Sequence, residues 1–235
     1  MPENIKILSS RRAYEFRPDD LRLTTLSVKP VQEQIQQFFQ FQSSALGTPM
    51  QTFGEVPVTY PPGFVFNMGV FLSEEKQIVP IRFLHFEPSR IVIDVAGPST
   101  AIDSIAERLF QLFEGLQAAD GTPVFGEPVR IFNYSEITAQ FSVSLSKLFA
   151  SHVSELFTKM LNRGKDNEQL IIVPSLMLQA FAHDEQYEVA LDPHSFSLTL
   201  RAGTNVEEHV YYSIAPLDSE EHLSYLRALE EALTA

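Results

Sequence analysis

Phe86-Glu87-Pro88-Ser89-Arg90-Ile91-Val92-Ile93-Asp94-Val95-Ala96-Gly97 spells out a strand together with its entry turn and its stop. Pro88-Ser89 supplies the turn, Ile91 to Val95 the extended apolar run, and Ala96-Gly97 the exit. The same grammar returns in Leu191-Asp192-Pro193-His194-Ser195-Phe196-Ser197-Leu198-Thr199-Leu200-Arg201-Ala202-Gly203. Each stretch has an apolar residue, an acid and a proline, then an alternating strand closed by Ala-Gly. Each also follows an amphipathic helical pattern and precedes another. The expectation is two copies of one α+β unit.

Upstream of the first copy, Phe64–Leu72 and Ile78–Phe86 are extended and apolar, so three consecutive antiparallel strands form a meander. Leu21 to Val28 alternates and predicts a further strand. Pro30 suits a helix start, and residues 31–45 place Val31, Ile35, Phe38 and Phe39 on one helical face. After Gly97, Ser99 and Thr100 cap a helix with Ile102, Ile105, Leu109, Leu112, Phe113 and Leu116 along one stripe. The Gly- and Pro-rich residues 115–130 are the expected linker. A strand at 136–143 then leads to a helix capped by Ser144, with Leu145, Leu148, Phe149, His152, Leu156, Phe157 and Met160 on its stripe. Strands are predicted at 170–182, 187–191, 196–201 and 209–214, with a closing helix from Asp218.

This pattern predicts an α+β chain: antiparallel sheet with helices on one face, in two similar β-α-β(3-4)-α halves, residues 1–120 and 121–235. The TATA-binding-protein architecture joins two such units, and it serves here as a topological analogy only. A second echo pairs Gly47-Thr48-Pro49 and Phe53-Gly54-Glu55 with Gly121-Thr122-Pro123 and Phe125-Gly126-Glu127. Its offset of 74 disagrees with the strand echo's 105, so both cannot report one duplication.

Composition narrows the function classes. Thirty acids against 17 bases give a net charge of −13, without the basic footprint that nucleic-acid binding uses. The absence of cysteine excludes disulfides, thiolate metal sites and Cys nucleophiles, and fits a reducing cytosol. No apolar h-region opens the chain, and no apolar run approaches the ~20 residues of a membrane span. The expectation is a soluble, cytoplasmic protein that binds neither membrane nor nucleic acid. With 19 Phe and no Trp, aromatic residues should fill the core.

Catalytic vocabulary is missing. Neither Gly-x-Ser-x-Gly nor a glycine-rich phosphate loop occurs. Five of six histidines fall in the second half, at 152, 183, 194, 209 and 222, without close metal-ligand spacing. No cofactor or metal is expected. Asp94 shares a strand face with Val92, which reads as an outward sheet position.

The helix at 31–45 is the strongest functional hint. Its polar positions are almost all glutamine, with Glu33 the one charge. Glutamine is easier to desolvate than a charged residue, which suits a covered face. Gln34, Phe38, Phe41 and Gln42 are the candidate contact residues. The leading expectation is a non-enzymatic assembly or adaptor protein that self-associates or captures a protein partner. The alternative is a module binding a small apolar molecule between sheet and helices, lined by Phe110, Phe149, His152 and Phe157.

Overall fold

A computed structural model describes residues 2–17, 20–46, 50–53, 56–59, 63–73, 76–149, 153, 174–180 and 194–235. The first elements are β1 (Glu3–Glu15), α1 (Leu23–Leu26), α2 (Lys29–Phe38), β2 (Ser43–Leu46), β3 (Met50–Phe53) and β4 (Val56–Thr59). Then come β5 (Phe64–Leu72), β6 (Ile78–Phe86), β7 (Arg90–Val95), α3 (Thr100–Phe113) and β8 (Arg130–Gln140). After a 3-10 turn at Leu145–Leu148 follow β9 (Leu176–Ala180), β10 (His194–Leu200), β11 (Val210–Ala215) and α4 (Ser219–Thr234). The chain is an α+β protein with extensive antiparallel sheet and few helices. It divides into two compact units, Leu8–Ser135 and Met1–Ile7 with Glu136–Ala235, so β1 and β8 each contribute to both.

In the Leu8–Ser135 unit, the predicted meander is present as β5, β6 and β7, and β7 pairs in turn with β1. Pro88 and Ser89 form the two-residue turn, closed by Glu87 N–H to Arg90 O at 2.8 Å. Alternation sends Phe64, Phe66, Leu84, Phe86, Ile91, Ile93 and Val95 into one core with Ile102, Ile105, Leu109 and Phe113 of α3. Phe86 stacks on Phe64 at 4.7 Å and meets the edge of Phe113 at 6.2 Å. Such pairs add roughly 0.5–1.5 kcal/mol each beyond area burial. α3 has the predicted stripe, but Ser99 adopts helical angles and makes no side-chain cap bond.

Three expectations in this unit need correcting, and one strand was not expected at all. Leu21 to Val28 is not a strand: Leu23–Leu26 is a helical turn, and Leu21 makes an isolated bridge to Phe125. The strand that the sequence concealed is β1, whose Ser9, Ser10, Arg11 and Arg12 disguise it as surface. Ser10 Oγ–H donates to Gly97 O at 2.8 Å. Arg12 pairs with the exposed Asp103 of α3, and its Nε–H donates to Asn133 Oδ1 at 2.8 Å, so the mostly buried cation is satisfied. The helix expected over 31–45 stops at Phe38, and 43–46 pair with β5 instead. Residues 115–130 also pack into this unit: Val124 is buried, and Phe125 lies against Phe16, Phe110 and Phe113.

In the other unit the strands run β8, β11, β10, β9 in hydrogen-bonded order. Ile137, Ala139, Phe141, Leu145, Leu198, Tyr211, Leu226 and Leu233 form its core. Asp218 caps α4 as predicted, accepting from Glu220 N–H at 3.0 Å and Glu221 N–H at 2.9 Å. Ser144 accepts from Ser146 N–H, but it caps a 3-10 turn. The helix expected beyond it to Met160 and the strand at 187–191 fall outside the described residues, apart from Val153.

Candidate functional site

The α2 surface is built by the offset between Phe38 and its neighbours. Val31 and Ile35 bury one stripe, which ends in Phe39 at the C-cap. Phe38, one residue earlier, is turned outward and remains 47% exposed, its ring edge against Phe39 at 4.9 Å. Gln34 and Gln42 are exposed beside it in sequence. Phe41 departs from the expectation. It is buried, stacked on Phe66 at 5.3 Å, because the chain reverses at Gln40 (φ 50°) and drops Phe41 onto the sheet. Its ring contributes to the wall of a shallow 340 Å³ cleft shared with Glu33, Gln36 and Gln37. Two glutamines are already engaged: Gln32 Nε2 donates to Ser27 O at 3.0 Å, and Gln36 Nε2 to Phe41 O at 3.3 Å.

A second concave feature lies at the C-terminal end of α3. A 570 Å³ cleft is enclosed by that helix end and the 115–125 segment, with Phe110, Phe113, Val124 and Phe125 among its walls. Phe110 therefore does line a pocket, but with partners other than those expected. Phe149 is exposed after the 3-10 turn of the other unit, and His152 and Phe157 lie outside the described residues.

No known protein family, curated protein or solved structure matches this chain. Geometry alone carries the functional argument.

Two polar centres escaped the sequence. Asp94 occupies the predicted face, opposite Arg11 and Phe83 in register, yet only 1% of it is exposed. Arg11 Nε and Nη2 each lie 2.8 Å from its Oδ2. The Arg11 guanidinium sits 5.1 Å from the centre of the Phe83 ring and 5.3 Å from that of Tyr134. A register shift between Ile81 and Phe83 brings Arg82 Nη1 to 3.8 Å from Asp94 Oδ1. The strand alternation signalled the face of Asp94, but its burial depends on side chains from three other strands.

His222 of α4 is fully buried, and its Nε2 lies 2.8 Å from Ser213 Oγ. Burial lowers its pKa from 6.5 to about 4, so the ring is neutral near pH 7. Ser213 Oγ–H donates to Ser197 O at 3.1 Å, so the imidazole Nε2–H donates to Ser213 Oγ. That polarity is opposite to the one that activates a serine nucleophile. The pair ties α4 to β11 and β10. Among the described residues, no group of three His, Asp or Glu side chains is placed to hold a metal, and no helix is long and apolar enough to cross a membrane.

Proposed function

We infer that this protein is a non-enzymatic assembly or adaptor protein of the cytosol, and that α2 with the turn after it is its contact surface for a second copy or a protein partner. The observation carrying this reading is the outward Phe38 between the exposed Gln34 and Gln42, while Phe39 and Phe41 are buried. An exposed aromatic among uncharged amides can be covered at little desolvation cost, and aromatics are favoured anchors at interfaces.

A scaffold role suits a duplicated architecture, read in a register different from that of the sequence echo. That echo aligns β7 with β10, yet β7 leads directly into α3 whereas β10 leads into β11. Aligning β7 with β11 instead gives corresponding hydrogen-bonded orders, β1-β7-β6-β5 in one unit, with β2 added after β5, and β8-β11-β10-β9 in the other, each unit closed by a helix. The reading is two copies of one unit, each a strand followed by three further strands and a closing helix, as in the TATA-binding-protein analogy.

Light scattering on the purified chain tests the interface. The wild type is expected at a multiple of 26.5 kDa, and Phe38→Glu at one chain mass with an unchanged circular dichroism spectrum. Phe38→Glu should lower stability by no more than about 1 kcal/mol, since much of the ring is already in water. If the variant keeps the wild-type mass or unfolds, α2 is not the contact surface.

A second reading, binding of a small apolar molecule, is favoured by the 570 Å³ cleft. Its size falls in the range of ligand sites, roughly 300–1,000 Å³.

A further inference from the structure

The cleft at the end of α3 joins an aromatic floor to a rim of one sign. Glu107, Phe110 and Gln111 follow i, i+3, i+4 spacing on one side of α3, and Glu114 at its C-cap lines the cleft with them. The helix ends there without a basic residue in its last turn, so its negative dipole end adds to the two carboxylates. No basic side chain lines the cleft among the described residues. Arg108, the nearest cation in sequence, gives its Nη1–H to Gln111 Oε1 at 3.0 Å, while Gln111 Nε2 donates to Glu107 Oε1 at 3.3 Å. Phe110 and Phe125 pack at 5.0 Å with planes tilted by 41°, and Phe113 meets Phe125 edge-on at 5.9 Å. The apolar floor takes a hydrocarbon or aryl body. The carboxylates and ring faces attract a positive head group.

We propose that this cleft is a binding site for small amphipathic cations, an aryl or alkyl chain bearing an ammonium group, seated on Phe110, Phe113 and Phe125 with its charge toward Glu107 and Glu114. The proposal rests on the apolar-ligand reading and adds the charge of the ligand to it.

Three probes with one apolar body separate the claims: 4-phenylbutylamine, 4-phenylbutan-1-ol and 4-phenylbutyrate, titrated into the full chain and followed by amide shifts of Gly115 and Gln117. The amine should bind about 10-fold more tightly than the alcohol, and the carboxylate should not bind. The Glu107→Gln/Glu114→Gln variant, altered only on the exposed rim, should reduce amine affinity to that of the alcohol. Equal binding of amine and alcohol to the wild type overturns the cation proposal and leaves the apolar-ligand reading standing. Binding of none of the three overturns both. Amine binding that survives the double variant assigns the attraction to the acidic surface at large and overturns the site.

Discussion

Arg11 lays its guanidinium edge against the buried carboxylate of Asp94 across the β1–β7 pair, with both Nε and Nη2 2.8 Å from Oδ2. The two partners differ sharply in exposure, 42% for the Arg11 side chain against 1% for Asp94. An arginine released from the pair can rehydrate, whereas a carboxylate left there cannot. Arg11→Met should therefore lower stability by about 2–3 kcal/mol, and Asp94→Asn by only about 1 kcal/mol. The Arg11 value lies below the full cost of orphaning a buried charge because Arg82 Nη1, 3.8 Å from Asp94 Oδ1, partly compensates. The double variant should be less destabilised than the sum of the single ones. Urea unfolding measures all three, and equal, additive losses would refute the asymmetry.

Gly69 faces the turn that buries Phe41. A Cβ built there lies 2.4 Å from Phe41 Cε1 and 3.0 Å from Phe39 O. The Phe41 ring cannot simply swing away, since Phe66 stacks on it and Phe39 flanks it. Gly69→Ala should cost about 1–3 kcal/mol by overpacking, despite the gain alanine brings by restricting the unfolded chain. Thermal melting reads this directly. A neutral or stabilising result would mean that Phe41 is not fixed against the sheet.

How much of this was legible follows which interactions are local. The meander at 64–95, the stripe of α3 and the Asp218 cap rest on alternation, helical spacing and a capping residue, all of which lie within one short window. β1 was missed because its two arginines are neutralised by Asp94 and Asp103, acids 83 and 91 residues away. The likeness of the two proline-led stretches says little about pairing for a related reason. The proline turns before β7 and β10 look alike in sequence, but hydrogen-bonded position distinguishes the strands, and that is a property of pairing partners. The cleft likewise depends on Phe125 returning to Phe110, which a Gly- and Pro-rich segment conceals.

Asp218 holds two otherwise orphaned amides at the start of α4. Asp218→Ala should lower stability by about 1 kcal/mol, and Asp218→Asn by appreciably less, because an amide oxygen also caps. Both variants also lose a carboxylate at the positive helix end, so added salt should reduce the loss of each by a similar amount and leave the gap between them in place. Chemical denaturation at low and high salt checks both parts, and equal loss in Asn and Ala would assign the effect to charge alone.

His222 connects the second unit's packing to pH. Its pKa is lowered from 6.5 to about 4 by burial, so between those values the unfolded chain binds the proton and the folded chain resists it. Stability from this group is therefore whole above about pH 6.5, declines as the pH falls toward 4, and changes no further below that. The span corresponds to about 3 kcal/mol. His222→Gln can keep a donor toward Ser213 Oγ while removing the titration. The variant should start less stable than wild type at pH 7.5, through imperfect filling of the imidazole site beside Phe196. The gap should then close as the pH is lowered to 4.5, because only the wild type loses stability to this proton. Denaturant midpoints at four or five pH values measure it, and parallel curves for the two proteins would show that His222 is solvated in the folded state.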